Sequence, residues 1–162
     1  MIHDKTPLTK INSKMINSVI DRYGYNFYII KRVANIDCKC VDPTTKEADP
    51  NCKMCLGTGK KIKIYKAFGV GREIKTAETY RSSESGTVTP KVFYIKGSIY
   101  LNKEDLIIDS EDAFVVFNVQ YHRGEHGAPG FTRAVAPVKK FDKINVIKNF
   151  KELLHEHNLS KQ

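Results

Sequence analysis

Residues 25–68 read YNFYIIKRVANIDCKCVDPTTKEADPNCKMCLGTGKKIKIYKAF. The stretch opens with Tyr25 to Val33, which is aromatic and β-branched as a strand should be. It closes with Lys60 to Phe68, where lysines alternate with apolar residues; that alternation sets the lysines on one face of a strand and the apolar groups on the other. Between the two strands stand Cys38, Cys40, Cys52 and Cys55, every cysteine of the chain. Asp42-Pro43 and Asp49-Pro50 are turn signals within this segment. The arrangement predicts a cysteine ribbon inserted at the tip of a β-hairpin.

The pattern is Cys38-x-Cys40, then Cys52-x-x-Cys55-x-Gly57-x-Gly59. Four thiolates suit one tetrahedral Zn²⁺, with bonds of about 2.3 Å. An iron centre also uses four cysteines, and paired disulfides or buried free thiols are the alternatives without metal. Metal is favoured over disulfides, because clustered cysteines without an evident secretion signal are expected to stay reduced, and zinc is favoured over iron. Cys-x-x-Cys places two sulfurs on one tight turn. Gly57 and Gly59 allow the backbone to bring amide N–H groups towards those sulfurs, a supporting shell for the metal. A closed four-cysteine shell leaves no position for water or substrate, so such a site stabilises a fold. Between Cys38 and Gly59 the only large apolar side chains are Val41, Met54 and Leu56, and metal is expected to supply most of the ribbon's folding free energy.

Working outward, Leu8, Ile11, Met15, Ile16, Val19 and Ile20 recur at helical spacing and predict a buried stripe. Thr6 and Pro7 would start that helix, and Gly24 would end it in a left-handed turn. Beyond the hairpin, residues 69–87 are polar and carry no clear pattern. Val88 to Leu101 predicts a strand kinked near Gly97-Ser98, and Leu106 to Asp109 a short one. Asp112 to His122 reads as one continuous strand, with Val115, Phe117, Val119 and Tyr121 on one face. Arg123-Gly124-Glu125-His126-Gly127-Ala128-Pro129-Gly130 predicts a mobile loop. Phe131 to Lys140 is another strand. Asp142 would cap a helix whose stripe is Ile144, Ile147, Phe150, Leu153 and Leu154, and His155 to Gln162 would fray.

The organisation is therefore residues 1–35 as N-terminal helix and first strand, 36–60 as the ribbon, 61–141 as the β core, and 142–162 as C-terminal helix and tail. The fold class is mainly β: a small antiparallel barrel or sandwich flanked by two helices. Hydrophobic residues make up 41% and charged residues 28%, ordinary for a soluble fold. No apolar run approaches the roughly 20 residues needed to cross a bilayer, so no membrane partner is expected.

The net charge of +9 favours an anionic partner in general terms. His122, Glu125 and His126 read as ordinary loop polar groups, and His155-Glu156-His157 as solvated surface. No Gly-x-Ser-x-Gly element, Walker motif or nucleophile–base pair is present, which argues against an enzyme.

Two parts of the sequence carry a family resemblance. One is the ribbon, from Cys38-Lys-Cys40 to Cys55-Leu-Gly57-Thr-Gly59. The other is Lys103-Glu-Asp105-Leu-Ile-Ile108 leading into Phe114-Val-Val-Phe-Asn-Val119, then a loop, Phe131-Thr-Arg-Ala-Val-Ala-Pro137 and a helix. The second part resembles the neck, stopper and head-closure proteins of tailed bacteriophages, small β-barrels at the head–tail junction. The first resembles a cysteine ribbon inserted in some phage structural proteins, and also the Cys-x-x-Cys-x-Gly-x-Gly unit of DnaJ-type chaperones. With a single such unit, a chaperone of that type is not expected.

The resemblance implies a non-enzymatic virion protein assembled in the host bacterial cytoplasm. It would form a homo-oligomeric ring stacked between portal or adaptor and tail proteins. The loop at Arg123, Gly124, Glu125, His126, Gly127 and Gly130 would order on assembly, and a basic ring could contact genomic DNA in the channel. The alternatives are a zinc-ribbon nucleic-acid-binding protein and an enzyme with a structural zinc. Lys39, Lys46 and Lys53 oppose Asp42, Glu47 and Asp49 within the ribbon, which counts against the ribbon as a reader of nucleic acid.

Overall fold

The two strands that flank the cysteines pair with each other and organise the rest. A computed structural model describes residues 13–73, 80–81, 87–88, 90–97, 99–124, 129–136 and 143–159. Strand β1 (Tyr25–Asp37) runs antiparallel to β2 (Lys60–Glu73), with Tyr25 opposite Gly69 and Arg32 opposite Ile62. The hairpin is continuous through those pairs, and its register shifts between Arg32 and Asp37 as it enters the ribbon.

The remaining elements are α1 (Ser13–Tyr23), β3 (Tyr80–Arg81), β4 (Thr87–Val88), β5 (Lys91–Lys96), β6 (Leu106–Asp109), β7 (Asp112–Val115), β8 (Asn118–His122), β9 (Phe131–Ala136) and α2 (Lys143–Leu159). Seven strands form one antiparallel sheet in the order β7-β6-β1-β2-β5-β9-β8, and β3 pairs with β4 separately. The fold is thus mainly β with a helix towards each terminus, as the sequence predicts. No helix among the described residues is long and apolar enough to cross a membrane.

The predicted strand from Asp112 to His122 is broken. β7 and β8 lie at opposite edges of the sheet, joined only by Val116 and Phe117. Val116 exchanges backbone bonds with the Glu104–Asp105 turn, its N–H donating to Asp105 O at 2.8 Å, while the Phe117 N–H donates to Val135 O at 2.9 Å. Two consecutive residues thus bond to opposite ends of the sheet, which must curl into a half-barrel for both to be satisfied.

The curl encloses one core: Phe27, Ile29, Phe93, Ile95, Leu101, Ile107, Phe114, Val116 and small residues of β9. Ala67, Ala134 and Ala136 complete this core. A second core lies on the outer face under α2, where Ile30, Leu106, Ile108 and Ala113 meet Val146, Ile147 and Phe150. The Tyr28 and Phe150 rings pack there at 5.1 Å.

Both helices differ from their predicted stripes. In α1, Met15 and Val19 face outward, and the buried residues are Ser13, Asn17 and Ile20. The two polar residues are buried because loop carbonyls receive them. The Asn17 amide donates to Pro129 O at 2.7 Å, and the Ser13 hydroxyl to Arg123 O at 3.2 Å. Gly24 ends the helix without a left-handed turn. A Cβ there would stand 2.6 Å from the Phe68 ring, so close packing accounts for the glycine. In α2, Ile144 is 82% exposed and Val146 takes its place inside. The helix continues through His155 and His157 to Leu159 rather than fraying at His155. Thr6, Pro7, Leu8, Ile11, Glu125, His126, Gly127, Ala128 and Asp142 lie outside the described residues.

Candidate metal centre

The four cysteine sulfurs all lie within 4.8 Å of one another. Cys38 Sγ is 3.8 Å from Cys52 Sγ, and Cys40 Sγ is 3.5 Å from Cys55 Sγ. A disulfide requires about 2.05 Å, so all four are free thiols. A tetrahedron of sulfurs each about 2.3 Å from a central ion has edges of about 3.8 Å. The cluster therefore has the size of a four-thiolate metal site, and both halves of the sequence pattern contribute to it.

Two turns present the sulfurs. At the base, the Cys38 N–H donates to Gly59 O at 2.9 Å and closes the ribbon onto the hairpin. The first turn is short: the Val41 N–H returns to Cys38 O at 3.1 Å, which bends the backbone enough for an i, i+2 pair to converge. In the second, Thr58 clasps Cys55 O twice, through its N–H at 3.0 Å and its hydroxyl at 2.7 Å.

Leu56, Gly57 and Gly59 all have positive φ, at 53°, 74° and 72°. The two glycines accept this readily; Leu56 does not, and its burial must compensate. Gly57 also packs tightly, since a Cβ would stand 2.8 Å from Pro50 O. Asp42 and Asp49 accept backbone N–H bonds from Thr44 and Asn51 at 2.7 and 2.9 Å and fix the intervening turns.

The electrostatics of the thiols differ. Burial, then hydrogen bonding to Cys55, pushes the Cys40 thiol up to about 12. Burial also raises Cys55, although the Gly59 amide, directed at its sulfur, opposes the rise. Burial acts upward on Cys52 too, but the Cys55 and Met54 amides bond to its sulfur and bring the net shift down. Gly59 thus sends its amide to a sulfur, as its position in the pattern suggests, whereas Gly57 serves the packing against Pro50. An ion in the centre would replace thiol protons, and its binding would be pH-dependent for that reason.

The ribbon is also tied to the body of the protein, which its few apolar residues did not foretell. Leu56 is 0% exposed and belongs to the core beneath α2, among Ile30, Leu106, Val146, Ile147 and Phe150. Asn51 bonds α2 at two points, its Oδ1 accepting from Asn145 Nδ2 at 2.7 Å and its carbonyl from Asn149 Nδ2 at 3.2 Å. Lys53 pairs with Glu152 one turn further along. Leu56 follows Cys55 directly, so the position of the cluster and the seating of α2 are linked through one peptide bond.

A second polar group escaped the sequence reading. Asp109 lies inside one end of the barrel and accepts from the Tyr25 hydroxyl at 2.8 Å and from Lys91 Nζ. The Lys91 ammonium also stands over the Phe93 and Phe114 rings, at 5.3 and 5.4 Å from their centroids. The three residues come from β1, β5 and β6, and only the sheet order brings them together. Burial alone would lower the Lys91 pKa, but the Asp109 bond and charge outweigh it and the net shift is upward. Burial, then Asp109, raises Tyr25.

His122 stacks on Phe131 at 4.5 Å, far in chain from the cysteines. Arg123, Pro129 and Gly130 are held at the loop's two ends, the first two by α1 and Gly130 by the Gly97 N–H at 3.1 Å. No protein-family model matches the chain, and no curated protein matches it at a significant level.

Proposed function

We propose that this protein is a non-enzymatic structural component braced by one zinc ion, and that it serves in the head–tail connector of a tailed bacteriophage. The observation that carries the structural role is the seating of the ribbon. Four cysteine sulfurs lie within 4.8 Å of one another, close enough to share one ion, and the residue after Cys55, Leu56, locks into the core under α2. A shell of that kind has no open position for substrate, and its effect is to hold a helix against a sheet. Zinc is preferred to iron because it needs no redox partner and suits a closed four-thiolate site.

The connector role rests on the likeness of the ribbon and the C-terminal half to neck and stopper proteins, and the half-barrel with two flanking helices is compatible with it. In this reading the loop at residues 123–130 is an assembly contact, and its described ends at Arg123 and Pro129 are bonded to α1. The ring would stack on portal or adaptor and tail proteins, and its net charge of +9 would suit non-specific contact with phosphate in the channel.

Sedimentation velocity and negative-stain microscopy of the purified protein test the assembly role. Ring-shaped oligomers, formed alone or on addition of virion partners, are the expected result. A strict monomer that binds oligonucleotides with a steep salt dependence would contradict it and favour the nucleic-acid reading.

A further inference from the structure

From Lys60 to Phe68, β2 is paired on one side only. β1 covers it from Lys60 to Gly69, but β5 reaches only Gly69 to Glu73. Among the described residues, no strand pairs with the other edge of Lys60 to Phe68. In such an edge every second residue turns its N–H and C=O outward, a template for an added strand. An open groove of about 440 Å³ runs along this edge, lined by Ile62, Lys63, Ile64 and Tyr65 of β2 with Met54, Leu153 and His157. Met54 lies on the ribbon and is 68% exposed; a methionine so placed adapts to varied apolar partners.

The two faces of the edge differ in chemistry. Ile62 and Ile64 point to the α2 side, where they border the second core. Lys61, Lys63 and Tyr65 alternate onto the opposite face. Lys63 stands directly across from Lys31 of β1, a like-charged pair that disfavours the sheet; the Lys31 ammonium lies over the Tyr100 ring, 5.4 Å from its centroid. None of the ion pairs among the described residues involves Lys31, Lys61 or Lys63. Lysines are a common guard of sheet edges against self-pairing. Here they would repel β2 of a second copy, which carries the same lysines, and attract a strand of opposite charge.

We propose that the free edge at Lys60–Phe68 is a β-augmentation site for an extended segment of a partner protein in which apolar and acidic residues alternate. The segment adds as the next strand beside β2. Its apolar side chains enter the groove against Ile62, Ile64, Met54 and Leu153, and its carboxylates meet Lys61 and Lys63. Backbone bonds supply affinity and the alternation supplies specificity. The site deepens the assembly role by naming a surface and a partner chemistry, yet it is read from the edge itself and does not depend on the connector assignment.

The test uses the full-length protein and a fluorescein-labelled decapeptide of alternating valine and glutamate, followed by anisotropy. Saturable binding is expected, lost in a peptide of the same composition arranged as five valines followed by five glutamates. Two further peptides carry N-methyl groups on either all glutamate amides or all valine amides. Alternate amides face alternate sides, so one should lose binding and the other retain it. Lys63→Glu should weaken binding at least about fivefold, through like-charge repulsion. That variant removes the Lys31–Lys63 conflict, so it should fold at least as well, which a thermal melt checks.

Hydrogen exchange should slow at alternate amides of Ile62 to Phe68 in the complex. Absence of binding, equal binding of both N-methylated peptides, or indifference to Lys63→Glu would overturn the proposal. So would displacement of the peptide by single-stranded dT20 with the same lysine dependence, since that would make the face a nucleic-acid surface. Failure to form rings would bear on the connector reading and leave these results unaffected.

Discussion

Truncating Leu56 probes the link between the cysteine cluster and the rest of the fold. Leu56 is 0% exposed and lies among the side chains that join α2 to the sheet. Leu56→Ala removes three buried carbons, worth about 2.4 kcal/mol at about 0.8 kcal/mol per methylene. The unfilled space adds to this, and comparable Leu→Ala changes cost about 3–5 kcal/mol. Alanine keeps the left-handed backbone as strained as leucine does, so that contribution cancels. We therefore expect a loss of about 3–4 kcal/mol in urea unfolding, a midpoint shift of about 1.5–2 M for a slope near 2 kcal/mol per M.

The location of the damage is as diagnostic as its size. Exchange should accelerate at the Val146–Phe150 amides of α2, and the metal should bind more weakly because the docked ribbon is the form that holds it. A loss below about 1 kcal/mol, or unchanged exchange in α2, would refute the seating of the ribbon as a brace.

Three further outcomes follow from the same geometry. Cys52→Ser should abolish metal binding and open the ribbon. The β signal in circular dichroism should be retained while α2 amides lose protection; complete unfolding would show that the sheet does not stand without the ribbon. Acidifying the holoprotein from about pH 7 to about pH 5 should release the metal, because each bound thiolate must be reprotonated, and a chromogenic chelator reads this directly. Lys91→Met should cost roughly 3 kcal/mol by leaving the Asp109 carboxylate buried without its cation.

The Lys91 cluster also predicts an alkaline limit to stability. Both Lys91 and Tyr25 have folded pKa values raised above their ordinary ones. Their contribution is fully present below the unfolded values, about 10 for tyrosine and about 10.4 for lysine, and is lost as pH rises through the folded values. Denaturation midpoints measured from about pH 8 to pH 11 should fall at the upper end, and the fall should be smaller in Lys91→Met.

Much of this architecture was legible in local pattern. Tyr25 to Val33 and Lys60 to Phe68 announce their strands by composition and alternation, and the four cysteines announce a shared site by spacing. What was not legible depends on partners distant in sequence. The alternation of Val115, Phe117, Val119 and Tyr121 runs unbroken through Val116, so period alone gave no sign that the strand changes neighbours there. Ser13 and Asn17 are polar, and their burial depends on the carbonyls of Arg123 and Pro129, more than a hundred residues away in sequence, which accept from them. Leu56 lies between a cysteine and a glycine in a turn that looks complete in itself. Its place in the core is set by α2, which begins far along the chain at Lys143. The Tyr25, Lys91 and Asp109 cluster is likewise a product of sheet order.

The central claim is that Cys38, Cys40, Cys52 and Cys55 together hold one zinc ion that braces the fold. Native mass spectrometry of the purified chain at neutral pH tests it most directly. The account predicts a mass excess of one zinc per chain, lost in Cys52→Ser and on denaturation. A metal-free native mass, or a mass short by the hydrogens that disulfide formation removes, would contradict it.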